Sequence, residues 1–82
     1  MEKKAVALRY PENADAPFIS AKGNGFSAEK ILKIAQENKI PVVENENLTN
    51  VLCVQSVGQI IPEDLYEAVA KVFAVIQSLE RF

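Results

Sequence analysis

The chain has 82 residues, which is enough for one small domain and too few for two. Hydrophobic residues make up 49% of the sequence and the net charge is -2, which excludes a disordered chain and a general nucleic-acid-binding surface. One cysteine and no histidine exclude an internal disulfide and the usual zinc ligand sets. No run approaches the roughly 18 apolar residues of a membrane span. We therefore expect a single domain over residues 1–82, located in the reducing cytoplasm without membrane insertion.

The first predicted element is a strand over residues 4–10. Its apolar side chains alternate, so Val6 and Leu8 would pack inward. Proline, asparagine and aspartate in residues 11–17 predict the loop that follows. A second strand is predicted over residues 18–23, and it ends in a Gly-Asn-Gly turn.

A helix is predicted after this turn. Ser27 has the side chain of a good N-cap, and Phe26 just before it could pack onto Ile31 as a hydrophobic staple. Asn38 and Pro41 are expected to end the helix, because asparagine favours the C-terminal position and proline cannot continue it.

The short apolar sequence IPVVEN, residues 40–45, is predicted to form a third strand. It is too short for a typical helix, and its two valines favour a strand. A strand, a helix and another strand in so few residues predict a right-handed crossover, which would place residues 40–45 parallel to the second strand.

Two further helices are predicted in the second half of the chain. Leu48, Val51 and Leu52 share one face of a short helix that closes by Gly58. The last helix begins at Pro62, and we expect its wide apolar stripe to cover the sheet. The stripe comprises Leu65, Val69, Val72, Ile76 and Leu79, widened by Tyr66, Phe73 and Phe82. Together the elements predict an α/β domain, a small mixed sheet of about three strands covered by three helices.

One motif in the turn resembles a dinucleotide-binding loop. Gly23 and Gly25 lie between a predicted strand and helix, Ala28 takes the place of the third small residue, and the acidic Glu44 follows about 20 residues on. Such a loop holds phosphate at a helix N-terminus, where Lys22 would add positive charge. A tight turn is the favoured interpretation, because a dinucleotide site needs a larger doubly wound sheet. A small nucleotide- or ligand-binding module that uses this loop is our alternative hypothesis.

The sequence offers no nucleophile with a base beside it. No histidine is available to activate any of the serines, and Cys53 is expected to be a small, partly buried hydrophobic residue. Neighbouring carboxylates occur near predicted caps and strand ends, where they are typical of a solvated surface. We therefore predict that the chain is not an enzyme and binds no cofactor and no metal.

Several basic residues fall in the first half of the chain. They are Lys3, Lys4, Arg9, Lys22, Lys30 and Lys33. This distribution predicts a basic face around the strands and the first helix that would steer an acidic partner. An ordinary mixed surface is the alternative.

Four segments together resemble a known family. AVALRY, DAPFISAKG, IAQENKIPVVEN and VGQIIPEDLYEAVAKVFAVI follow the order and spacing of the cytoplasmic C-terminal domain of the FlhB family. These proteins are the export switch proteins of flagellar and virulence type III secretion systems. The resemblance runs from Ala5 to about Ile76, and it implies the fold of that domain and a role at the export gate.

The resemblance also implies a departure from the family. Family members cleave themselves between Asn and Pro of an Asn-Pro-Thr-His motif just upstream of the AVALRY-like strand. Aligned on Ala5, the Pro, Thr and His of that motif correspond to Met1, Glu2 and Lys3. No Asn-Pro bond occurs in the sequence. We therefore expect a free-standing homologue that does not cleave itself and that substitutes for, or competes with, the processed C-terminal fragment.

The expected partner is an export-gate protein, in particular a membrane-anchored FlhB-type protein that supplies the family's upstream strand. Such a strand would pair with the edge at residues 4–10 and protect the amides of Ala5, Ala7 and Arg9. The predicted interaction residues are Lys3, Lys4 and Arg9 along this edge, and Lys22, Gly23 and Gly25 in the turn.

Overall fold

The computed structural model describes the backbone of residues 3–80 and the side chains of residues 3–78. The chain forms strand β1 (Lys4–Arg9), strand β2 (Phe18–Asn24), helix α1 (Phe26–Glu37), helix α2 (Glu46–Cys53), a 3-10 turn (Glu63–Leu65) and helix α3 (Tyr66–Glu80). The predicted combination of a small sheet with three helices is confirmed. Within the described part of the chain, no helix is long and apolar enough to cross a bilayer.

β1 and β2 pair antiparallel, and they form the whole sheet of the described chain. Ala7 lies opposite Ala21, but the pairing shifts at Ser20 so that Leu8 lies opposite Ile19. The Ser20 hydroxyl donates to the Ala7 carbonyl at 3.2 Å and so stabilises this β-bulge. Bulges increase the local twist of a strand pair, which suits a two-stranded sheet that is covered on both faces.

The predicted third strand is absent. Residues 40–45 form an irregular segment between α1 and α2, so the predicted parallel crossover is wrong. Strand propensity depends on cross-strand neighbours, and no backbone hydrogen bond joins this segment to β1 or β2 in the described structure. The sequence carries a strand signal here, but neither described strand pairs with this segment.

Helix α1 covers one face of the sheet at short range. A Cβ atom added to Gly23 would lie 2.7 Å from the Ser27 Cβ and 2.9 Å from the Ser27 carbonyl carbon. Only glycine permits this approach of β2 to the first turn of α1. Ala28 and Ala35 of α1 are buried, so small side chains complete the contact.

The opposite face of the sheet carries the main hydrophobic core. Ile19 of β2 is fully buried, with Leu48 and Leu52 of α2, Ile61, and Val69 of α3 in the same cluster. Burial of such aliphatic side chains is the dominant favourable term in folding. Both α2 and α3 are therefore fixed to the sheet through this single cluster.

The predicted inward face of β1 is confirmed; that of α3 is confirmed for Val69, Val72 and Phe73, whereas Tyr66 is 41% exposed. Val6 and Leu8 of β1 pack against the core, as do Leu65, Val72 and Phe73 around the start of α3 and along it. The apolar stripe of α3 therefore covers the sheet. Phe82 and the side chain of Leu79, which the stripe also included, lie outside the described parts of the chain.

The start of α1 differs from the prediction. Gly25 is the N-cap, with φ 55° and ψ -119°, and no side chain caps this helix. Ser27 is a residue of the first turn, and Phe26 is the first helical residue instead of the residue before the cap. The Phe26 ring is 74% exposed and lies 5.4 Å from the Lys30 ammonium. The predicted cap and staple are therefore wrong, because the glycine backbone makes the turn that a serine side chain was expected to stabilise.

Candidate interaction site at the open edge of β1

The two edges of the sheet differ in what covers them. On the outer edge of β2, the Ile19 N–H donates to the Gln59 carbonyl at 3.0 Å, and the Gly58 N–H donates to the Ile19 carbonyl at 2.6 Å. The Ile61 N–H also donates to the Pro17 carbonyl at 3.1 Å. No backbone hydrogen bond from another described segment reaches the outer edge of β1. In the described chain, β1 therefore presents the open edge of the sheet.

Hydrogen bonding fixes which residues of β1 face β2. The Gly25 N–H donates to the Lys3 carbonyl at 2.6 Å. Alternate residues of an antiparallel strand direct their backbone groups to the same side, so Ala5 and Ala7 face β2 as Lys3 does. The prediction that a docked strand would protect the amides of Ala5, Ala7 and Arg9 is therefore wrong, since Ala5 and Ala7 already pair within the sheet and Arg9, beyond the bulge, faces Phe18 of β2.

Lys4 and Val6 carry the backbone groups that point outward from β1. Beyond the bulge, Leu8 lies opposite Ile19. The N–H and C=O of Ile19 bond to residues 58–59, on the side away from β1, so the backbone groups of Leu8 also point away from β2. The open edge thus offers the N–H and C=O groups of three alternate residues. An added strand would pair with these groups.

A groove with a volume of about 580 Å³ runs along this edge. We call it the β1 groove; it is formed by residues 3–6, 32, 42–46, 49 and 50. Lys3 and Lys4 line the β1 wall, and Glu44 and Glu46 line the opposite wall. All four side chains are exposed. The groove therefore has one basic and one acidic wall.

The wall opposite β1 is loosely held. Val42 is 53% exposed, and no hydrogen bond from a backbone N–H of residues 42–45 occurs within the described structure. Asn45 has extended dihedral angles, and its side chain accepts a hydrogen bond from the Leu48 N–H at 3.1 Å, which caps α2. The wall is therefore fixed by α2 at its C-terminal end. The backbone N–H groups of residues 42–45, which precede α2, are unpaired within the described structure.

The structure brings only some of the predicted interaction residues together. Lys3 and Lys4 lie at the β1 groove, whereas Arg9 lies at the far end of β1, opposite Phe18. The turn residues Lys22, Gly23 and Gly25 belong to β2 and to the start of α1, outside the groove. The predicted set thus divides among three places: the groove, the far end of β1, and the turn between β2 and α1.

Lys22 has a structural contact that the sequence did not indicate. Its ammonium donates to the carbonyls of Cys53, at 3.0 Å, and Gln55, at 2.6 Å. These carbonyls lie at the C-terminal end of α2, where helix carbonyls lack partners and a positive charge is favourable. Lys22 therefore ties β2 to the end of α2.

Replacing Lys22 by methionine should lower the free energy of unfolding by about 1 kcal/mol, because two carbonyls lose their donor while the apolar stem stays. Urea unfolding followed by far-UV circular dichroism measures this loss. Lys33→Met is the matched control, since Lys33 is exposed on α1 and makes no side-chain hydrogen bond within the described structure. Equal midpoints for Lys22→Met and the unchanged chain would show that the two bonds contribute no stability.

The glycine loop is poorly arranged for a phosphate. The Gly25 N–H already donates to the Lys3 carbonyl, and the Lys22 ammonium is bound to the carbonyls at the end of α2. The Lys22 charge, which the nucleotide-binding interpretation placed beside a phosphate, is thus already used within the domain. The geometry therefore gives the alternative hypothesis of a nucleotide-binding loop no specific support.

Two surfaces of the structure were not predicted from the sequence. One is the acidic wall of the β1 groove, residues 42–46, where the sequence indicated a strand and the acidic residue of a nucleotide-binding motif but no groove beside β1. The other is a pocket of about 320 Å³ between the loop after β1 and α3, lined by Tyr10 and Phe73 among others. Their rings meet edge to face with centroids 5.7 Å apart. Its walls come from distant parts of the chain, so no local pattern predicts it.

Comparisons with known proteins agree with this geometry. The family model described as the FlhB HrpN YscU SpaS family matches residues 2–76. The Bacillus subtilis protein named Uncharacterized protein YlqH is 40% identical over 79 residues, which cover 95% of this chain and 85% of YlqH. The flagellar biosynthetic protein FlhB of Helicobacter pylori is 41% identical over 78 residues, which cover 94% of this chain and 22% of that protein. The chain thus spans about a fifth of the length of the FlhB relatives it matches.

Two solved structures share the fold. The crystal structure of the PscU C-terminal domain is 31% identical, covers 89% of this chain and 95% of its own, and has a TM-score of 0.83. A mutated EscU C-terminal domain is 30% identical, covers 92% of this chain and 93% of its own, and has a TM-score of 0.85. Since the family model covers nearly the whole chain and the fold is that of these domains, the chain belongs to the FlhB HrpN YscU SpaS family and has the fold of its C-terminal domains.

Proposed function

We propose that this chain is a non-catalytic interaction module of the flagellar or type III export apparatus. It substitutes for, or competes with, the processed C-terminal fragment of the export switch protein. Family membership supports the export role, because several relatives are named flagellar biosynthetic proteins. The open edge of β1 is the observation that carries the interaction role, since an uncovered strand edge is a template for pairing with another chain.

The partner in this proposal is an export-gate protein, and a membrane-anchored FlhB-type protein is the first candidate. The encounter takes place in the cytoplasm at or near the gate. Lys3 and Lys4 are exposed at the mouth of the β1 groove, where their charge would steer an acidic segment of the partner. Steering of this kind acts mainly on the association rate and weakens with added salt.

The non-catalytic part of the proposal rests on the sequence. Self-cleavage in the family needs an Asn-Pro bond, and none occurs in this chain. The serines and Cys53 have no histidine that could activate them. What the chain offers instead is a strand edge and a charged groove, which are features of recognition.

Replacing both Lys3 and Lys4 by glutamate should weaken binding to the cytoplasmic part of an FlhB-type protein by roughly tenfold at low salt, because a steering charge becomes repulsive. Surface plasmon resonance with the immobilised partner measures the association rate. The matched control is Lys33→Glu with Lys39→Glu, which makes the same charge change at exposed positions outside the groove. Equal losses in both double variants would assign the effect to net charge, and the β1 groove would then have no special part in binding.

A further inference from the structure

The turn between β2 and α1 contains a chemically reactive pair of residues. Asn24 is the last residue of β2, and Gly25 follows it as the N-cap of α1. Every other asparagine of the sequence precedes a residue with a side chain, so Asn24 alone is followed by glycine. Glycine leaves its backbone nitrogen unshielded, which makes an asparagine before it prone to lose its side-chain amide. Asn24 is also exposed, so water reaches the pair.

The reaction of such a pair consumes only water. The Gly25 nitrogen loses its proton to solvent and attacks the side-chain Cγ of Asn24, so that a new Cγ–N bond forms. The bond between Cγ and Nδ2 breaks, and Nδ2 takes up a proton from solvent and leaves as ammonia. Water then adds to either carbonyl of the five-membered imide and breaks its bond to the nitrogen, which regains a proton. The product is aspartate or isoaspartate at position 24, without a change of oxidation state.

The fold holds the Gly25 nitrogen back from this reaction. Its N–H donates to the Lys3 carbonyl at 2.6 Å, which disfavours loss of the proton. Asn24 is extended as part of β2 and lies opposite Lys4. Ring closure needs the Gly25 nitrogen to turn toward the Cβ of Asn24, and the dihedral angles of a strand keep these two atoms apart. Both restraints end when Lys3 and the start of β1 move away from β2.

We propose that Asn24 is a site of spontaneous deamidation, closed while β1 pairs with β2 and opened when the bond between Lys3 and Gly25 breaks. The inference is independent of the proposed function, because it concerns a covalent change within the chain. No described backbone segment covers the outer edge of β1, and weakly covered elements open at a lower free energy than the core. Deamidation therefore proceeds through local opening of β1 while the rest of the domain stays folded.

The two products have different effects on the turn. Aspartate at position 24 places a negative charge opposite Lys4 and beside the N-terminus of α1, and both neighbours favour that charge. Isoaspartate adds a methylene group to the backbone just before Gly25. The turn is tightly packed, since a Cβ at Gly23 would lie 2.7 Å from the Ser27 Cβ, so the longer backbone misaligns the bond between Gly25 and Lys3. Isoaspartate thus marks and maintains the opened form, whereas aspartate lets β1 return.

The test compares the folded chain with a blocked peptide of residues 22–27 at mildly alkaline pH. Peptide mapping by mass spectrometry measures conversion at position 24, and chromatography separates isoaspartate from aspartate. The folded chain should convert at least about tenfold more slowly than the peptide, because a paired N–H and an extended backbone both oppose ring closure. Asn24→Gln is the chemical control, since its longer side chain closes a ring far less readily and should remove the product.

Two proline variants distinguish opening of β1 from a general effect of proline. Ala5→Pro removes an N–H that faces β2, whereas Lys4→Pro removes one that points outward from the sheet. Conversion at position 24 should rise at least about fivefold in Ala5→Pro, which loses one ladder hydrogen bond. It should change little in Lys4→Pro. Far-UV circular dichroism checks that the helices remain in both variants.

Hydrogen exchange at the Gly25 amide provides a measurement on the unchanged chain. The same opening exposes this amide to solvent and permits ring closure. In urea below the unfolding transition, the exchange rate and the conversion rate should therefore rise by the same factor. This comparison decides the question even if Ala5→Pro does not fold.

Three results would overturn the inference. Equal conversion in the folded chain and the peptide would show that pairing of β1 gives no protection. Conversion that follows only the globally unfolded fraction, while exchange at Gly25 rises at lower urea, would exclude local opening as the route. Absence of conversion at position 24 even in the unfolded chain would remove the site altogether. The proposed function is tested separately, because its binding assay depends on Lys3 and Lys4 and not on the state of Asn24.

Discussion

Replacing Ile19 by alanine is expected to lower the free energy of unfolding by about 3 kcal/mol. Ile19 has no exposed surface, and it lies in the cluster that joins β2 to α2 and α3. The truncation removes buried methyl and methylene groups and leaves a cavity that the surrounding side chains fill only in part. A domain of this length has a total stability of roughly 4 to 12 kcal/mol, so this single change removes a large share of it.

Urea unfolding followed by far-UV circular dichroism measures the effect of Ile19→Ala, with a fall in the midpoint at unchanged slope as the expected signature. Ile34→Ala is the matched control, because Ile34 is 57% exposed on α1 and should lose less than about 1 kcal/mol. Equal losses at the two positions would contradict the placement of the core on the α2 and α3 side of the sheet.

Replacing Gly25 by valine is expected to have the second large effect, a loss of about 2 to 3 kcal/mol. Gly25 has φ 55° and ψ -119°, a combination that side chains with a Cβ rarely adopt. Its N–H also anchors the Lys3 carbonyl, so relief of the strain by rotation would break the first hydrogen bond of the sheet. Thermal unfolding should show the loss as a lower melting temperature.

Comparison of two variants identifies the cause of this loss. Space around a Cβ at Gly25 is open, with no atom within 4 Å, so Gly25→Ala should lose nearly as much as Gly25→Val. Asn24→Ala is the control in the same turn, where an exposed side chain is removed without change of backbone. If the alanine variant proved as stable as the unchanged chain, backbone strain could not be the reason for glycine at this position.

Much of the fold follows from local patterns in the sequence. Alternation in β1 placed Val6 and Leu8 correctly on the inner face, and the stripe of α3 placed Val69 and Phe73 against the core. These patterns are reliable because each element buries one face against the rest of the domain. The start of α1 was less predictable, since Ser27 and Gly25 both offer ways to begin a helix and only the backbone geometry distinguishes them.

The candidate site was harder to predict than the fold. Side-chain alternation shows which face of β1 is buried, but it does not show which backbone amides point to the neighbouring strand. That depends on the side on which β2 pairs, and the bond between Gly25 and Lys3 decides it. Residues 40–45 fail for a related reason: their residue types favour a strand, but no backbone hydrogen bond joins them to β1 or β2 in the described structure.

Asn45 connects the occupancy of the groove to the stability of a helix. It ends the loosely held wall, and its side chain caps α2. A rearrangement of this wall that breaks the cap would lower the stability of α2, and by linkage a substitution that changes how well the cap forms shifts the equilibrium of the wall by the same free energy. Residue 45 therefore links the conformation of a groove wall to the start of a helix that packs against the core.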